Sequence, residues 1–302
     1  MAGRMALPLL GVVPAQFTGD PEAPMGGLDE AWRLGLAGVF VLDHLWPLGQ
    51  ARTRPVLECW TLVGALAARA GALGPGAGDQ ARLRVGTLVT RAGLRPPAVV
   101  ARMADTAGQA AGAPMVVGVG GGDARSGAEN QAFGLAFHDG AGRHAEVERQ
   151  LRWLAAEEAG TPRPASWAGG RGAGIRAIAG RLADAWNVWA ARPEELAAGL
   201  AEVRRAAEAA GRDPASVSAT WGGQVLVDAD VDRARARLAE WGSGRDRAEV
   251  AATLAGDPGQ VLAALAGLGQ AGASWCVLGA VGGDRAAAWA LLAEAAGLAR
   301  RG

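Results

Sequence analysis

The sequence predicts a (β/α)8 barrel, in which eight parallel strands alternate with helices. Three observations support this fold class. Apolar, strand-like segments alternate with amphipathic segments along the chain, as in a parallel sheet covered by helices. Roughly eight such units fit within the 302 residues, a length that suits one barrel. No repeat or linker marks a second domain, so we expect a single domain over residues 1–302.

The strands are assigned to short runs of apolar and β-branched residues. In chain order they are predicted at Ala6–Val13, Val39–Leu42, Leu83–Val89, Met115–Val119, Ser166–Ala168, Ala185–Val188, Val217–Val227 and Trp275–Leu278. Helices are assigned where apolar residues recur at helical spacing and where Pro or Gly marks an end. They are predicted at Leu28–Gly38, Pro55–Ala70, Pro96–Ala107, Gly142–Ala159, Ala173–Arg181, Pro193–Ala210, Asp230–Trp241, Pro258–Ala271 and Asp284–Arg300.

Composition excludes several classes of protein. The chain has 30 basic and 30 acidic residues, and this balance argues against nucleic-acid binding, which normally needs a basic face. Every basic residue is Arg and Tyr is absent, so lysine Schiff-base chemistry, pyridoxal phosphate and a Tyr–Lys acid pair are excluded. Cys59 and Cys276 stand alone, which argues against a zinc site and favours the cytoplasm. No apolar run predicts a membrane span.

Functional groups of such a barrel lie at the C-terminal ends of the strands. One of these ends is VFVLDHLW, residues 39–46, in which His44 directly follows the second strand. An imidazole in this place is a candidate for proton transfer, with a satisfied structural histidine as the alternative. The neighbouring Asp43 either fixes the tautomer of His44 or caps a turn.

Two glycine-rich stretches follow later strands. In VGVGGGDARSGAENQAFG, residues 117–134, glycines after a strand let the backbone approach a ligand or its phosphate. A tight turn is the alternative, because the stretch lacks the dinucleotide-binding fingerprint. In WAGGRGAGIRAIAGRLADAWNVW, residues 167–189, a strand ends and a helix begins whose N-terminus could hold a phosphate.

Together these stretches resemble the bacterial-luciferase-like family of flavin- or coenzyme F420-dependent oxidoreductases. The resemblance rests on LDHLW, RLRVGTLVTRAGLRPPAVVARMADT, VVGVGGGDARSGAENQAFG and GGRGAGIRAIAGRLADAWNV, in the family's order between residues 25 and 210. The segment from Gly134 to Gly169 is shorter than is usual in the family, and QAAGAP replaces its LSGGR turn. The resemblance therefore implies a luciferase-like barrel with shortened insertions, either with an open site or without its cofactor.

The resemblance implies roles for the matching residues. His44 and Asp123 are expected to be catalytic, with Asp123 an acid or base if burial raises its pKa. Trp46 and Asn187 are expected to contact the substrate. A cis peptide bond backing the cofactor ring is expected at Thr87–Leu88. The expected cofactor contacts are Asp43, Thr87, Leu88, Gly120, Gly121, Gly122, Gly169, Gly170, Gly172 and Arg176.

Coenzyme F420 is favoured over FMN as the cofactor. The Asp-His pair, the shortened loops and a composition typical of actinobacteria favour open hydride transfer, whereas a flavin monooxygenase must shield an oxygen adduct from water. Surface arginines such as Arg52, Arg54 and Arg91 could hold the acidic tail of F420, with a solvated face as the alternative. His144 is expected on a solvated helix face. The substrate is expected to be a small organic or natural-product molecule, and the family suggests a homodimer.

Two other classes stay open. One is an FMN-dependent monooxygenase, and the other is a barrel that is not catalytic. A metal hydrolase is disfavoured, because three scattered histidines do not supply its ligand set.

Overall fold

The structure is a computed structural model that describes residues 7–47, 54–75, 82–156, 162–298 and 300–301. Its strands are β1 (Leu9–Val12), β2 (Gly38–Val41), β3 (Arg84–Arg91), β4 (Val116–Gly120), β5 (Ala165–Gly169), β6 (Ala185–Trp189), β7 (Ser218–Val227), β8 (Leu254–Gly256) and β9 (Ala273–Ala280). Its helices are α1 (Glu22–Arg33), α2 (Cys59–Leu73), α3 (Pro97–Ala111), α4 (Ala124–Ala132), α5 (Gly140–Ala155), α6 (Ala173–Leu182), α7 (Pro193–Ala209), α8 (Val231–Gly242), α9 (Arg247–Ala251), α10 (Pro258–Gln270) and α11 (Arg285–Ala295).

Eight parallel strands close into a barrel, which confirms the predicted fold class. Strands β1 to β7 pair in sequence order, and β9 pairs with both β7 and β1 to complete the ring. The short β8 pairs only with the end of β7 in the described structure. All the predicted strands are present, because buried parallel strands give continuous apolar runs that are easy to locate.

The predicted helices differ from the structure mainly at their ends. The first begins at Glu22 rather than Leu28, because Pro24 and Leu28 are both buried against the barrel and packing outweighs the poor helix propensity of the segment. The second begins at Cys59 rather than Pro55, because the Glu58 carboxylate accepts hydrogen bonds from the backbone of the first turn and caps it. Helices α4 and α9 and strand β8 were not predicted, since each is short.

The interior of the barrel is filled around one aromatic ring. Phe40 on β2 is fully buried and stacks on Trp167, with ring centroids 5.2 Å apart. Three neighbouring strands carry glycine where they face this ring. A Cβ at Gly11 would lie 2.6 Å from the ring, one at Gly38 3.0 Å and one at Gly86 2.8 Å. The three glycines therefore leave the space that Phe40 occupies.

The outer layer packs the helices against the sheet through a continuous apolar core. Its largest fully buried side chains include Trp186, Trp221 and Trp289. Among the described helices, none is both long and apolar enough to cross a membrane.

Candidate active site at the C-terminal ends of the strands

His44 lies directly after β2 and is held by a carboxylate from α4. Its Nδ1 lies 3.3 Å from Oε2 of Glu129, and its side chain is one quarter exposed. An ionised carboxylate can only accept a hydrogen bond, so the contact places a proton on Nδ1. The Nε2 atom is then the one that can exchange a proton with a ligand.

The carboxylate of Glu129 is almost fully buried and accepts several further hydrogen bonds. It accepts hydrogen bonds from the backbone N–H groups of Leu45 and Trp46, the latter at 3.0 Å, and from Nη1 of Arg91 at 3.0 Å. Burial alone would raise the pKa of Glu129, but the hydrogen bonds from His44 and Leu45 and the charge of Arg91 hold it below its usual value. Glu129 is therefore an anion that fixes both the imidazole and the chain that follows it.

The carboxylate of Asp43 is fully buried on the far side of the same strand end. It accepts hydrogen bonds from Oγ1 of Thr90 at 2.9 Å and from Nη1 of Arg95 at 2.7 Å. The suggestion that Asp43 fixes the tautomer of His44 is therefore wrong, because Glu129 occupies that place. Asp43 instead ties the ends of β2 and β3 together, and a direct contact of its carboxylate with a cofactor stays a prediction.

Strand β3 contains the expected non-proline cis peptide, but at Leu88–Val89 and not at Thr87–Leu88. Thr87 still pairs in register with Val117, while the next paired residue of β3 is Thr90. The irregularity in register falls between these two pairs, and the cis bond lies within it, one residue later than predicted.

The glycines of β4 and β5 accommodate the residue after this cis bond. A Cβ at Gly120 would lie 2.5 Å from Cγ2 of Val89, and one at Gly169 would lie 2.7 Å from Cγ1. A Cβ at Gly121 would lie 3.1 Å from the Cβ of Arg143. The missing side chains are therefore explained by protein packing, and the predicted ligand contacts of these glycines would have to come from their backbone.

Asp123 caps helix α4. Gly122 precedes it with a left-handed φ of +76°, and the Asp123 carboxylate accepts hydrogen bonds from the backbone N–H groups of Arg125 at 2.9 Å and Ser126 at 3.3 Å. Partial burial would raise the pKa of Asp123, but the charge and hydrogen bonds of Arg125 lower it below its usual value. The expectation of a raised pKa is wrong, because the side chain is half exposed and stabilises the helix start.

The N-terminus of α6 is open to a ligand. Gly172 is its N-cap residue, no described side chain caps it, and nothing described lies within 4 Å of a Cβ placed at Gly172. Gly170 has a φ of +148°, a conformation that favours glycine. The imidazole of His144 packs against the first turn, 2.5 Å from a Cβ placed at Gly174. His144 is thus half-buried at this helix terminus and not on a solvated face.

Arg176 supports this glycine turn from within the protein. Its Nε donates to Glu202 at 2.7 Å, and its Nη1 donates to the carbonyl oxygen of Arg171. Arg171 in turn donates to the carbonyl oxygens of Trp189 and Ala190, at 2.6 and 2.9 Å. The predicted contact of Arg176 with the cofactor stays a prediction, since its guanidinium already holds the turn.

The residues expected at the substrate differ in depth. Trp46 is partly exposed, with its ring 6.3 Å from that of Phe133. Asn187 is buried, and its Nδ2 donates to Oγ1 of Thr220 at 2.9 Å. Trp189 is 40% exposed at the end of the same strand. Side chains alternate along a strand, so Trp189 lies on the same face of β6 as Asn187. Of the two, Trp189 is the one exposed at the strand end.

Trp189 rests on strands that carry glycine. A Cβ at Gly222 on β7 would lie 2.8 Å from its ring and 3.2 Å from Leu88, so Trp189 and Leu88 adjoin at this end of the barrel. Ala190 after it has a φ of +52°, a left-handed conformation that is uncommon for alanine.

Glu129 was the main site residue that sequence reasoning missed. Ser126, Glu129 and Asn130 have the i, i+3, i+4 spacing of one helix face, and all three are buried. A polar helix face that turns inward is the signal that points to a functional role for this stretch.

The arginines expected to hold an acidic tail occupy different environments. Arg54 is exposed and donates to the carbonyl oxygen of Phe17, whereas Arg91 is buried against Glu129 and is not a surface cation, contrary to the prediction. Arg52 lies outside the described residues.

The fold and this arrangement of strand ends define a barrel enzyme of the luciferase-like class. Residues 28–275 match the family of luciferase-like monooxygenases, and the chain belongs to that family. A curated relative, the phthiodiolone/phenolphthiodiolone dimycocerosates ketoreductase of Mycobacterium tuberculosis, is 31% identical over 208 residues, which cover 61% of this chain and 49% of the relative. The chain thus spans about half the length of the curated relatives it matches.

Two solved structures share the fold over nearly the whole chain. An F420-dependent secondary alcohol dehydrogenase in complex with an F420-acetone adduct has a TM-score of 0.75 at 18% identity, covering 96% of this chain and 98% of its own. The EDTA monooxygenase of a Chelativorans species has a TM-score of 0.77 at 14% identity, covering 97% and 94%.

Proposed function

We propose that the protein is a coenzyme F420-dependent oxidoreductase that moves a hydride between the deazaflavin and a small organic or natural-product substrate. The observation that carries the proposal is the imidazole of His44 at a strand end, held through Nδ1 by the buried anion Glu129. The ketoreductase relative and the alcohol dehydrogenase fold support a substrate with a ketone or a secondary alcohol.

The residues at the strand ends fit a phosphate-bearing deazaflavin. The register irregularity of β3 lies at a strand end close to the exposed Trp189, and this is where we expect the ring. The uncapped N-terminus of α6 at Gly172 offers backbone N–H groups to the phosphate. When bound, the cofactor would supply or accept the hydride.

His44 would supply the proton. Reduction of a ketone adds a hydride to carbon and a proton to oxygen, and Nε2 of His44 would donate that proton or, in the reverse direction, accept it. Glu129 would hold the ring in one orientation through its contact with Nδ1.

The small number of described elements between β4 and β5 favours F420 over FMN as the cofactor. Between β4 and β5 the described structure has only α4, α5 and the short connection of residues 133–139, with no further element over the barrel end. A flavin monooxygenase has to exclude water from an oxygen adduct, whereas hydride transfer tolerates an open site. The FMN-dependent alternative, suggested by likeness to the EDTA monooxygenase, is an outcome of the test below.

Separate titrations with F420 and FMN, followed by Trp fluorescence and by the spectrum of the cofactor, test the proposal. We expect saturable binding of F420 in the micromolar range, weakened by Gly172→Asp, because a carboxylate at the helix start would cap it and repel phosphate. His44→Ala should leave F420 binding intact and lower turnover about 10²–10⁴-fold. Asp232→Asn, a change at an exposed carboxylate of α8, is the matched control.

Each other outcome has a definite meaning. Preference for FMN would place the protein in the monooxygenase branch. Binding of neither cofactor would refute both enzyme proposals and leave the barrel without catalysis. The predicted homodimer is checked separately by sedimentation equilibrium.

A further inference from the structure

A cavity opens at the end of the barrel opposite His44, at the N-terminal ends of the strands. Its volume is about 540 Å³, which is within the usual range for small-molecule sites. Its lining comes from the first residues of several strands and from the chain end, and comprises Leu9, Gly35, Ala37, Arg82, Arg84, Val116, Ala165, Trp167, Trp275 and Arg301.

The floor of this cavity is aromatic and apolar. Trp167 is held in place by stacking on Phe40, and Trp275 is tilted against it with ring centroids 5.8 Å apart. Leu9 at the rim is 53% exposed, although its neighbour Leu10 packs into the core. Trp167 itself is only 3% exposed, so the apolar surface open to a ligand comes from Trp275, which is partly exposed, and from Leu9. Apolar side chains exposed in a concave site are a feature of ligand sites.

The rim of the cavity is cationic. Arg82, Arg84 and Arg301 line it, and among the described residues that line it none is acidic. Arg84 uses Nη1 for the carbonyl oxygen of Pro114 at 2.8 Å. Within the described part of the chain, neither Arg82 nor Arg84 forms an ion pair with a carboxylate. The chain as a whole has no net charge, so this local excess of positive charge is specific to the cavity.

Burial also acts on the third arginine. Arg301 is 6% exposed, and burial lowers the pKa of Arg301 below its usual value. Arg301 therefore forms part of the cavity wall, and no contact with the ligand is assigned to it.

We propose that this cavity binds a small aromatic carboxylate, with its ring against Trp275 and Leu9 and its carboxylate at Arg84. A guanidinium binds a carboxylate through two parallel hydrogen bonds, and indole faces favour a planar apolar body. The site lies at the other end of the barrel from His44 and does not depend on the proposed oxidoreductase activity.

Calorimetric titration of the full chain, without cofactor, with 2-naphthoate tests the proposal. We expect one saturable site, at least tenfold weaker affinity for the uncharged 2-naphthamide, and at least tenfold loss on Arg84→Met. Arg235→Met, which removes an exposed arginine of α8, is the matched control and should bind as the wild type. His44→Ala should also bind as the wild type, so failure here is distinguishable from failure of the proposed function.

A second variant covers the case in which Arg84→Met fails to fold. Leu9→Asp adds a carboxylate at an exposed position of the rim, and it should weaken 2-naphthoate by repulsion while leaving the melting temperature near that of the wild type. No saturable binding to the wild-type protein, equal affinity for the acid and the amide, or binding unchanged by both variants would overturn the proposal.

Discussion

Removing the carboxylate of Glu129 should destabilise the fold strongly, because it leaves the buried guanidinium of Arg91 without its ion-pair partner. Nη1 of Arg91 lies 3.0 Å from Oε2 of Glu129, and both side chains are 5% exposed. At an effective dielectric constant of 20, two unit charges at this distance attract by about 5.5 kcal/mol. Nε and Nη2 of Arg91 have no partner within the described structure, so they offer no alternative compensation.

We expect Glu129→Ala to lower the free energy of unfolding by about 3–5 kcal/mol. Urea denaturation followed by Trp fluorescence measures it, and Asp232→Ala, which removes an exposed carboxylate of α8, should change stability by less than about 0.5 kcal/mol.

The pair of charges can be separated from the loss of packing by a double-mutant cycle. Arg91→Met alone should also be costly, because it leaves Glu129 with one donor fewer. The double variant Glu129→Ala, Arg91→Met removes both charges. Its loss of unfolding free energy should therefore be smaller than the sum of the two single losses by at least about 1 kcal/mol. Additive losses, or a Glu129→Ala variant as stable as the exposed control, would refute the reasoning.

Three further predictions concern stability and reactivity. Gly120→Ala should cost about 1–3 kcal/mol, since its Cβ would lie 2.5 Å from Val89, while Gly172→Ala, with open space around it, should leave the melting temperature unchanged. Burial raises the pKa of Cys276 to about 12, so this thiol should resist alkylation at pH 8 until urea unfolds the chain; fast labelling of the native protein would contradict its burial. The folded-state pKa of Glu129 is lowered, so its charge stabilises the fold above the unfolded pKa of about 4.3 and this contribution is lost as the pH falls through the folded pKa. The stability difference between wild type and Glu129→Gln should therefore be largest at neutral pH and shrink in acid; a difference that grows in acid would show the opposite sign.

The barrel and the place of His44 could be predicted because both depend on local patterns. A buried strand is a short apolar run, and the end of a strand is the residue at which that run stops. The partner of His44 could not be located in this way, because Glu129 is 85 positions away and is brought near only by the pairing of β2, β3 and β4 in the sheet. Asp43, its neighbour in sequence, faces elsewhere.

Arg91 shows why one local irregularity limits sequence reasoning. Side chains alternate between the two faces of a strand, so an extra residue moves every later side chain to the other face. The register shift of β3 lies between Thr87 and Thr90, just before Arg91. An arginine predicted to be on the surface is therefore buried beside Glu129.

The ring of Phe40 also constrains how the barrel can change during evolution. Gly11, Gly38 and Gly86 each adjoin that ring too closely for a side chain. An alanine at position 11 is therefore disfavoured while position 40 keeps its phenylalanine, whereas a smaller residue at position 40 would permit it. Positions 38 and 86 are confined by the backbone as well, because a Cβ there would lie 3.0 Å from the carbonyl oxygen of Arg84 and 2.6 Å from that of Val116. Homologous sequences should show positions 11 and 40 varying together, with larger residues at 11 where position 40 has a smaller side chain, while positions 38 and 86 stay glycine.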